Sequence, residues 1–327
     1  KRVTKTLPKK AVTQNNKLIH VAAAVIEKNQ QIFIAKRPDH VHQGGLWEFP
    51  GGKVEPEEHI EQALIRELQE EIGITPTRQE PLIQIQHDYP DKSVLLDVWK
   101  VTEFNGEAHG KEGQPVRWVS KDQLTDYQFP AANLPIILAA QLPSFYLITP
   151  QPEADKLEEF LSAFQRSLTP DNISLAQLRA KNLPAKQFEE LAQAALAIAQ
   201  RQKVRLYINC DLTTAQKLDL QYAHLSSPNL AKLSSRPENL HFAASCHTRQ
   251  ELELAHQYGA DFAVLSCVNK TKSHPNVTPL GWNNFQQLSL HAKIPIFALG
   301  GLQISDLYAA KYHGAQGIAG ITGFWQG

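Results

Sequence analysis

From about residue 145 to the end of the chain, short apolar runs and longer amphipathic runs alternate eight times, and no other feature limits the fold so strongly. The apolar runs are Phe145–Thr149, Ile173–Arg179, Arg205–Asn209, Gln221–Leu225, His241–Ser245, Phe262–Cys267, Ile296–Gly300 and Gly317–Ile321. Stretches such as Glu153–Ser167 and Ala185–Arg201 separate them with helical spacing. Strands that alternate with helices give parallel neighbours covered on both faces. Eight such units in about 180 residues predict a small α/β domain, a closed (β/α)8 barrel. The chain reaches Phe324, Trp325, Gln326 and Gly327 directly after the eighth strand, which leaves no length for an eighth helix. The apolar flank so exposed needs a cover. The N-terminal half is one candidate, and a second copy of the chain, as a homodimer, is the other.

The first half follows a different grammar. His20–Ile26 and Gln31–Ala35 are β-rich runs joined by Glu27, Lys28, Asn29 and Gln30, a hairpin pattern. Leu82–Asp88 and Ser93–Glu103 form a second pair around Tyr89, Pro90, Asp91 and Lys92, and Arg117–Val119 fits an edge strand. A helix is expected over Ile60–Glu71, stopped by Gly73. These elements predict an α+β domain with a mixed sheet over residues 18–141, a very short linker at Gln141, Leu142, Pro143 and Ser144, and the barrel over 145–327. Residues 1–17, with Lys1, Arg2, Lys5, Lys9 and Lys10 and no apolar stretch behind them, are expected to form a flexible basic tail. Lys and Arg together number 33, as do Asp and Glu, which argues against a general nucleic-acid or membrane-surface protein. No apolar run approaches a membrane span. Cys210, Cys246 and Cys267 are too scattered for a disulfide framework or a zinc site, so a cytoplasmic setting is expected.

Chemistry concentrates between Gly51 and Ile74. Glu67, Glu70 and Glu71 stand at i, i+3 and i+4 and project from nearly one helix face. Hard oxygen ligands grouped in this way suit Mg2+ or Mn2+ bound together with a substrate phosphate. Gly51 and Gly52 let backbone approach a ligand closely.

With Gly52, Glu58, Arg66, Glu67, Leu68, Glu70, Glu71, Gly73 and Ile74 at their spacing, the segment is identified as a Nudix box. Trp47–Lys53, Gly110–Pro115 and Phe129–Asn133 extend the resemblance, over about 19–140, to the MutT-type branch. That resemblance implies a Mg2+- or Mn2+-dependent nucleoside triphosphate pyrophosphohydrolase that converts 8-oxo-dGTP to 8-oxo-dGMP and pyrophosphate, a nucleotide-pool sanitation activity that avoids mutation. It implies metal ligation by the Gly51 carbonyl, Glu67, Glu70, Glu71 and Glu112. Arg66 would orient the box carboxylates, and Glu58 would anchor the loop or simply favour the helix start. Either Glu67 or Glu112 would serve as base. Arg37, His42, Glu48, Phe49, Pro50, Gly51 and Asn133 would contact the nucleotide, with Asn133 reading the purine edge or capping the helix that follows, or both.

Strand ends carry the sites of such barrels. Gln177, Leu178, Arg179 and Lys181, then Ser245, His247 and Thr248, resemble thiamine phosphate synthase and its TenI-type relative, the thiazole tautomerase, over about 145–325. The resemblance implies a TIM barrel with a thiazole or pyrimidine phosphate as ligand. Arg179, Lys181, Lys272, Gly300, Gly301, Thr322 and Gly323 would hold phosphate, and His247 would move a proton. The synthase pattern carries Asn-Asp after strand three and Gly-Gln-x-Asp after strand four. Here those places read Asn209, Cys210 and Ser226, Ser227, Pro228, Asn229, with Asp211 one residue out of register. The loss of both carboxylates weakens the case for a metal-dependent synthase and favours metal-free proton transfer. Two other readings stay open: a Nudix hydrolase acting on a thiamine-pathway pyrophosphate, and a barrel that senses a phosphorylated ligand.

Overall fold

The computed structural model describes residues 18–41, 43–88, 92–169, 173–271 and 277–327. The expected tail at 1–17, the turn at 89–91, His42 and Lys272 therefore lie outside the described residues.

The chain begins with an antiparallel hairpin of β1 (Leu18–Lys28) and β2 (Gln31–Lys36), turned by Asn29 and Gln30 at positive φ. The short strands β3 (Trp47–Glu48) and β4 (Gly51–Lys53) lead into helix α1 (Ile60–Ile72). Gly73 ends α1 in the left-handed conformation, φ 75°, and donates its N–H to the Leu68 carbonyl. Next come β5 (Ile74–Asp88), β6 (Ser93–Gly106), β7 (Val116–Ser120) and helix α2 (Leu134–Gln141). The mixed sheet runs β3-β2-β1-β6-β5, with β4 paired to β1 and β7 to β2. Period-two alternation along β1 feeds both faces: Ala22, Ala24 and Ile26 pack on Leu64 and Leu68 of α1, while Ala23 and Val25 face Ile136 and Ile137 of α2.

Strand β5 starts eight residues before the expected Leu82. Pro76 and Pro81 make this stretch read as loop, yet β5 is an edge strand, where a missing N–H costs no ladder bond. Register shifts beside both prolines absorb them.

The second half contains β8 (Phe145–Ile148), α3 (Leu157–Ser167), β9 (Leu175–Leu178), α4 (Ala185–Arg201), β10 (Arg205–Asn209), α5 (Leu212–Lys217), β11 (Tyr222–Leu225) and α6 (Ser227–Leu230). It continues through β12 (His241–Cys246), α7 (Arg249–Gln257), β13 (Phe262–Ser266), α8 (Gly281–Leu290), β14 (Ile296–Leu299), α9 (Leu307–Tyr312) and β15 (Gly317–Gly320). All eight strands are parallel and close into a barrel. Tyr146, Ile148, Tyr207, Phe262 and Phe297 fill the interior, while the alternate residues Phe145 and Leu147 belong to the layer between strands and helices. The interior is thus a packed core.

Residues 321–327, directly after β15, form no helix, but the expected cover for the flank needs correction. The chain's own last residues supply it. Phe324 packs on Phe145 at 5.4 Å between ring centres, and Trp325 on Phe160 at 5.0 Å. The Gln326 N–H donates to Ser167 Oγ at 2.8 Å, fastening the tail across the end of α3. The first half packs elsewhere, with β5 against α8 and α9. There Lys311 pairs with Glu80, and Gln316 Nε2 donates to the carbonyls of Ala139 and Leu142 at 3.1 and 3.2 Å. No helix among the described residues is long and apolar enough to cross a membrane.

Candidate active site

Arg66 organises the acidic face of α1. Its Nε and Nη2 donate to the two carboxylate oxygens of Glu58 at 2.9 and 2.8 Å, and Nη1 donates to Glu67 at 2.8 Å. Nη1 also reaches Glu70 at 3.4 Å, and Nη2 the Lys53 carbonyl at 3.0 Å. The Arg66 fork, helped by the Glu55 N–H, holds the Glu58 carboxyl down at about 2. Glu58 is therefore committed to Arg66 and to its own loop. Of the three acids on the helix stripe, Glu70 is the outermost, with 62% of its side chain exposed against 20% for Glu67.

Glu71 is half-buried and accepts the Gly51 N–H at 2.9 Å. Burial pushes its carboxyl up to about 7 against that hydrogen bond, and the charges of Glu48, Glu112 and Glu67 add to the rise. Carboxylates from β3, α1 and the loop after β6 thus all act on Glu71. Glu67 lies against the glycine turn so closely that a Cβ added to Gly52 would stand 2.2 Å from its carboxyl carbon. Glu112 owes its position to the end of α1. The backbone N–H groups of His109 and Lys111 donate to the carbonyls of Ile72 and Glu71, and the Gln114 side chain donates to Glu71 as well. Lys111 Nζ takes the Gln69 carbonyl at 2.7 Å. The loop thereby satisfies carbonyls that a helix end leaves unpaired, and Glu112 itself stays exposed.

Among the described residues, no three acidic, histidine or cysteine side chains converge closely enough to ligate one ion as they stand. The donor set still fits Mg2+ or Mn2+. It is all oxygen, and burial together with like charge raises Glu71 in the way a divalent cation would relieve. A pH effect follows. A carboxyl whose folded pKa lies above its ordinary 4.5 favours folding below that value, and the contribution is lost as pH rises through about 7. The cation needs the ionised form, so its affinity rises over the same window. The Mg2+-induced increase in Tm is expected to be larger at pH 8 than at pH 6, and Glu71→Gln is expected to remove the difference. An increase independent of pH in the wild-type protein would contradict the assignment.

On the nucleotide side, Arg37 is paired with Glu48, whose carboxyl burial nonetheless raises. Phe49, only 4% exposed, stacks on Phe129 at 5.3 Å, and the buried Pro50 accepts the Ala24 N–H, so these two side chains are core. Asn133 ends a 3-10 turn over Ala131–Asn133 and its side chain makes no capping hydrogen bond to α2. Its side-chain N-cap role is therefore not realised. The residue reading missed Arg117 and Tyr127, which gather on Trp47. Tyr127 meets it edge-on at 5.3 Å, and Arg117 lies 5.5 Å over its ring. Nothing local signals this cluster, because β2–β7 pairing brings distant residues together.

At the barrel mouth, the backbone N–H groups of Arg179 and Lys181 are fixed by Thr149 Oγ1 and Gln151 Oε1, each at 2.9 Å. Burial and the Arg179 charge lower the pKa of Lys181. Gly300 and Gly301 take φ 112° and 63°, and a Cβ on Gly300 would meet Cys267 Sγ at 2.4 Å. Thr322 and Gly323 are exposed in the turn after β15. His247 is held at Nδ1 by Ser227 Oγ at 3.0 Å and by Glu251 at 3.3 Å. Beneath it runs a polar thread absent from the residue reading. Gln177 Nε2 donates to Tyr146 at 3.2 Å, Tyr146 meets His224 Nδ1 at 3.1 Å, and His224 Nε2 meets Ser245 Oγ at 2.8 Å. Burial, then the Lys181 charge, pushes His224 down to about 3, so it is neutral at physiological pH. Among the described residues, the two places where the synthase pattern carries carboxylates offer a divalent cation poor ligands. Asp211 is spent capping α5 through the Thr214 N–H at 2.8 Å, and burial pushes the Cys210 thiol up to about 12. Asn229, at the other place, donates its amide to the Cys210 carbonyl.

The comparisons with known proteins divide at the same place as the chain. The NUDIX domain model matches residues 21–139, and the thiamine monophosphate synthase model matches 145–324. The first half is 43% identical over 122 residues to the 8-oxo-dGTP diphosphatase of Escherichia coli (strain K12), covering 37% of this chain and 95% of that protein. It is 41% identical over 123 residues to the CTP pyrophosphohydrolase of the same organism, covering 38% and 91%. The second half is 25% identical over 181 residues to the thiamine-phosphate synthase of Fusobacterium nucleatum subsp. nucleatum, covering 54% and 87%.

Proposed function

Because the chain belongs to the Nudix family in its first half and to the thiamine monophosphate synthase family in its second, we propose that it is a metal-dependent nucleoside triphosphate pyrophosphohydrolase acting on 8-oxo-dGTP. The observation that carries this reading is the group of carboxylates Glu48, Glu67, Glu71 and Glu112 around the Gly51 N–H, with Arg66 bound to Glu58 and Glu67. Mg2+ or Mn2+, held by Glu67, Glu71, Glu112 and the Gly51 carbonyl, would neutralise phosphate charge and lower the pKa of a bound water. Arg66 keeps Glu67 in place, the Gly51 N–H keeps Glu71 in place, and the loop hydrogen bonds to α1 keep Glu112 beside them. Glu67 and Glu112 both remain within the reading as acceptor of the water's proton. Arg37 offers a planar fork for phosphate. Asn133, with its amide uncommitted to the helix, offers a donor and an acceptor to the purine edge.

The two relatives of the first half differ in substrate and are almost equally similar, so the base is the point to test. Pyrophosphate release should be measured from 8-oxo-dGTP, dGTP, CTP and hydroxymethylpyrimidine pyrophosphate. The highest kcat/KM is expected for 8-oxo-dGTP, and a preference for CTP or the pyrimidine pyrophosphate would overturn the substrate. Asn133→Ala is expected to reduce kcat/KM for 8-oxo-dGTP by roughly 10–100-fold, the loss of about 1–3 kcal/mol when hydrogen bonds to a buried polar edge disappear. The effect on dGTP should be smaller, and an equal loss on both would remove Asn133 from base recognition.

For the barrel, the capping role of Asp211 and the buried Cys210 favour metal-free proton transfer of the TenI type over synthase chemistry. His247, oriented by Ser227 and Glu251, is the group that would move the proton next to a phosphate held at Arg179, Gly300 and Gly301.

A further inference from the structure

Where the two halves meet lies a partly open cleft of about 210 Å3, and its lining includes Lys100, Lys121, Lys311, Ser144, Ser174 and Gln316. None of these residues belongs to the carboxylate cluster or to the barrel mouth, and no acidic residue is among those that line the cavity. The lysines come from both halves: Lys100 from β6, Lys121 from the turn after β7, and Lys311 from α9. Lys100 and Lys121 share one carboxylate, Glu27, at 2.8 and 2.6 Å. Lys311, with 4% of its side chain exposed, pairs with Glu80 at the edge of the interface. Three ammonium groups are thus served by two carboxylates, with Lys311 buried and Lys100 and Lys121 half-buried. Lys100 is near enough to Lys311 for its charge to join burial in lowering the Lys311 pKa, against the pull of Glu80. Lysines from separate halves thus line one cleft that holds one more positive than negative partner, an arrangement that an anion relieves.

The remaining wall adds selectivity. Gln316 is 3% exposed, and its Nε2 donates to the carbonyls of Ala139, Leu142 and Pro143. Those three acceptors fix the amide orientation, because the flipped amide would set its oxygen against them. Gln316 Oε1 is consequently buried and without a hydrogen-bond partner. A fully ionised anion such as sulfate would repel that oxygen, whereas hydrogen phosphate can donate an O–H to it. Water would satisfy Oε1 equally well but would leave the excess of one positive charge over the two carboxylates.

We propose that this interdomain cavity is a binding site for a protonated phosphate-type oxyanion, held by Lys100, Lys121 and Lys311 and donating a hydrogen bond to Gln316 Oε1. Inorganic phosphate and pyrophosphate share this chemistry. Bound there, the anion joins the ammonium groups of β6 and α9 and so ties the two halves together.

The test is calorimetric titration of the full-length chain with phosphate, pyrophosphate and sulfate at one ionic strength. Wild type, Lys100→Gln/Lys311→Gln and Arg179→Gln are compared, the last removing a barrel-mouth cation instead. Phosphate or pyrophosphate, whichever fits the cavity, should bind the wild type and still show one binding event in Arg179→Gln, whatever heat the barrel mouth itself loses. The double variant should bind it at least tenfold more weakly, and sulfate should give no matching heat. Binding lost only in Arg179→Gln, unchanged in the double variant, or equal for sulfate would overturn the site. If circular dichroism shows the double variant unfolded, Lys121→Gln serves instead. Its substitution lies in a surface turn, and a several-fold weakening is expected, with wild-type affinity counting against the proposal.

Discussion

Replacing Glu67 by Gln is expected to lower kcat for nucleoside triphosphate hydrolysis by roughly 10²–10⁴-fold, the range for losing an acid–base or charge-stabilising group. Glu67 is the acid that Arg66 grips at 2.8 Å and that lies against the Gly51–Gly52 turn. The amide keeps the shape, and its oxygen can still accept from Arg66, so the fold should survive with a Tm near wild type. The charge is what disappears. Steady-state kinetics at saturating Mg2+ would check it, and turnover within a few-fold of wild type would remove Glu67 from the reaction. Running Glu112→Gln beside it addresses the choice of base. The larger loss in kcat, with the steeper change in pH profile, should mark the residue that takes the water's proton.

The adjacent glycines are expected to fail in opposite ways. In Gly51→Ala the new Cβ would stand 2.0 Å from the Ala22 carbonyl oxygen, at φ 150°, where β4 crosses β1. Backbone cannot yield there without breaking the pairing, so the variant should lose several kcal/mol of stability, in line with overpacking of about 1–3 kcal/mol plus strain at an unfavourable φ. In Gly52→Ala the obstacle is the far end of the Glu67 side chain, at 2.2 Å, and that side chain can swing aside. Stability should then change little, while the displaced carboxylate costs about 10²-fold in kcat, as a misplacement near 1 Å does. Denaturant titration and kinetics on both variants would separate the two effects. A Gly52→Ala protein with normal turnover would mean that the position of Glu67 beside this turn is not the working one.

Several features were readable from residues because their causes are local. The helix of the acidic box runs over Ile60–Ile72 and ends at Gly73, a reading that needs only helical spacing and a left-handed glycine. The barrel strands fall within a residue or two of the apolar runs, since a strand buried on both faces must be apolar along its whole length. Strand β5 was underread because proline usually breaks strands and an edge position is not visible in a one-dimensional pattern. Asp211 could be read as a displaced ligand until the Thr214 N–H was seen to occupy it. The Tyr146–His224–Ser245 thread spans three strands, and residues that meet only once the barrel closes leave no mark on spacing.

Local order along the chain dictated a mixed-sheet domain followed by a parallel eight-stranded barrel, and it grouped the acids of α1 on one stripe. Those results depend on periodicity, which is a property of neighbours in sequence. Tertiary contact decided how the stripe is used: Glu58 is tied to Arg66, Glu71 is buried on the Gly51 N–H beside Glu48 and Glu112, and Glu70 faces outward. It also decided that Phe324 and Trp325 close the barrel's flank, and that lysines of β6 and α9 meet across the junction of the two halves. Burial and charge proximity fix these outcomes, and both depend on which distant residues the completed fold brings within a few ångströms of each other.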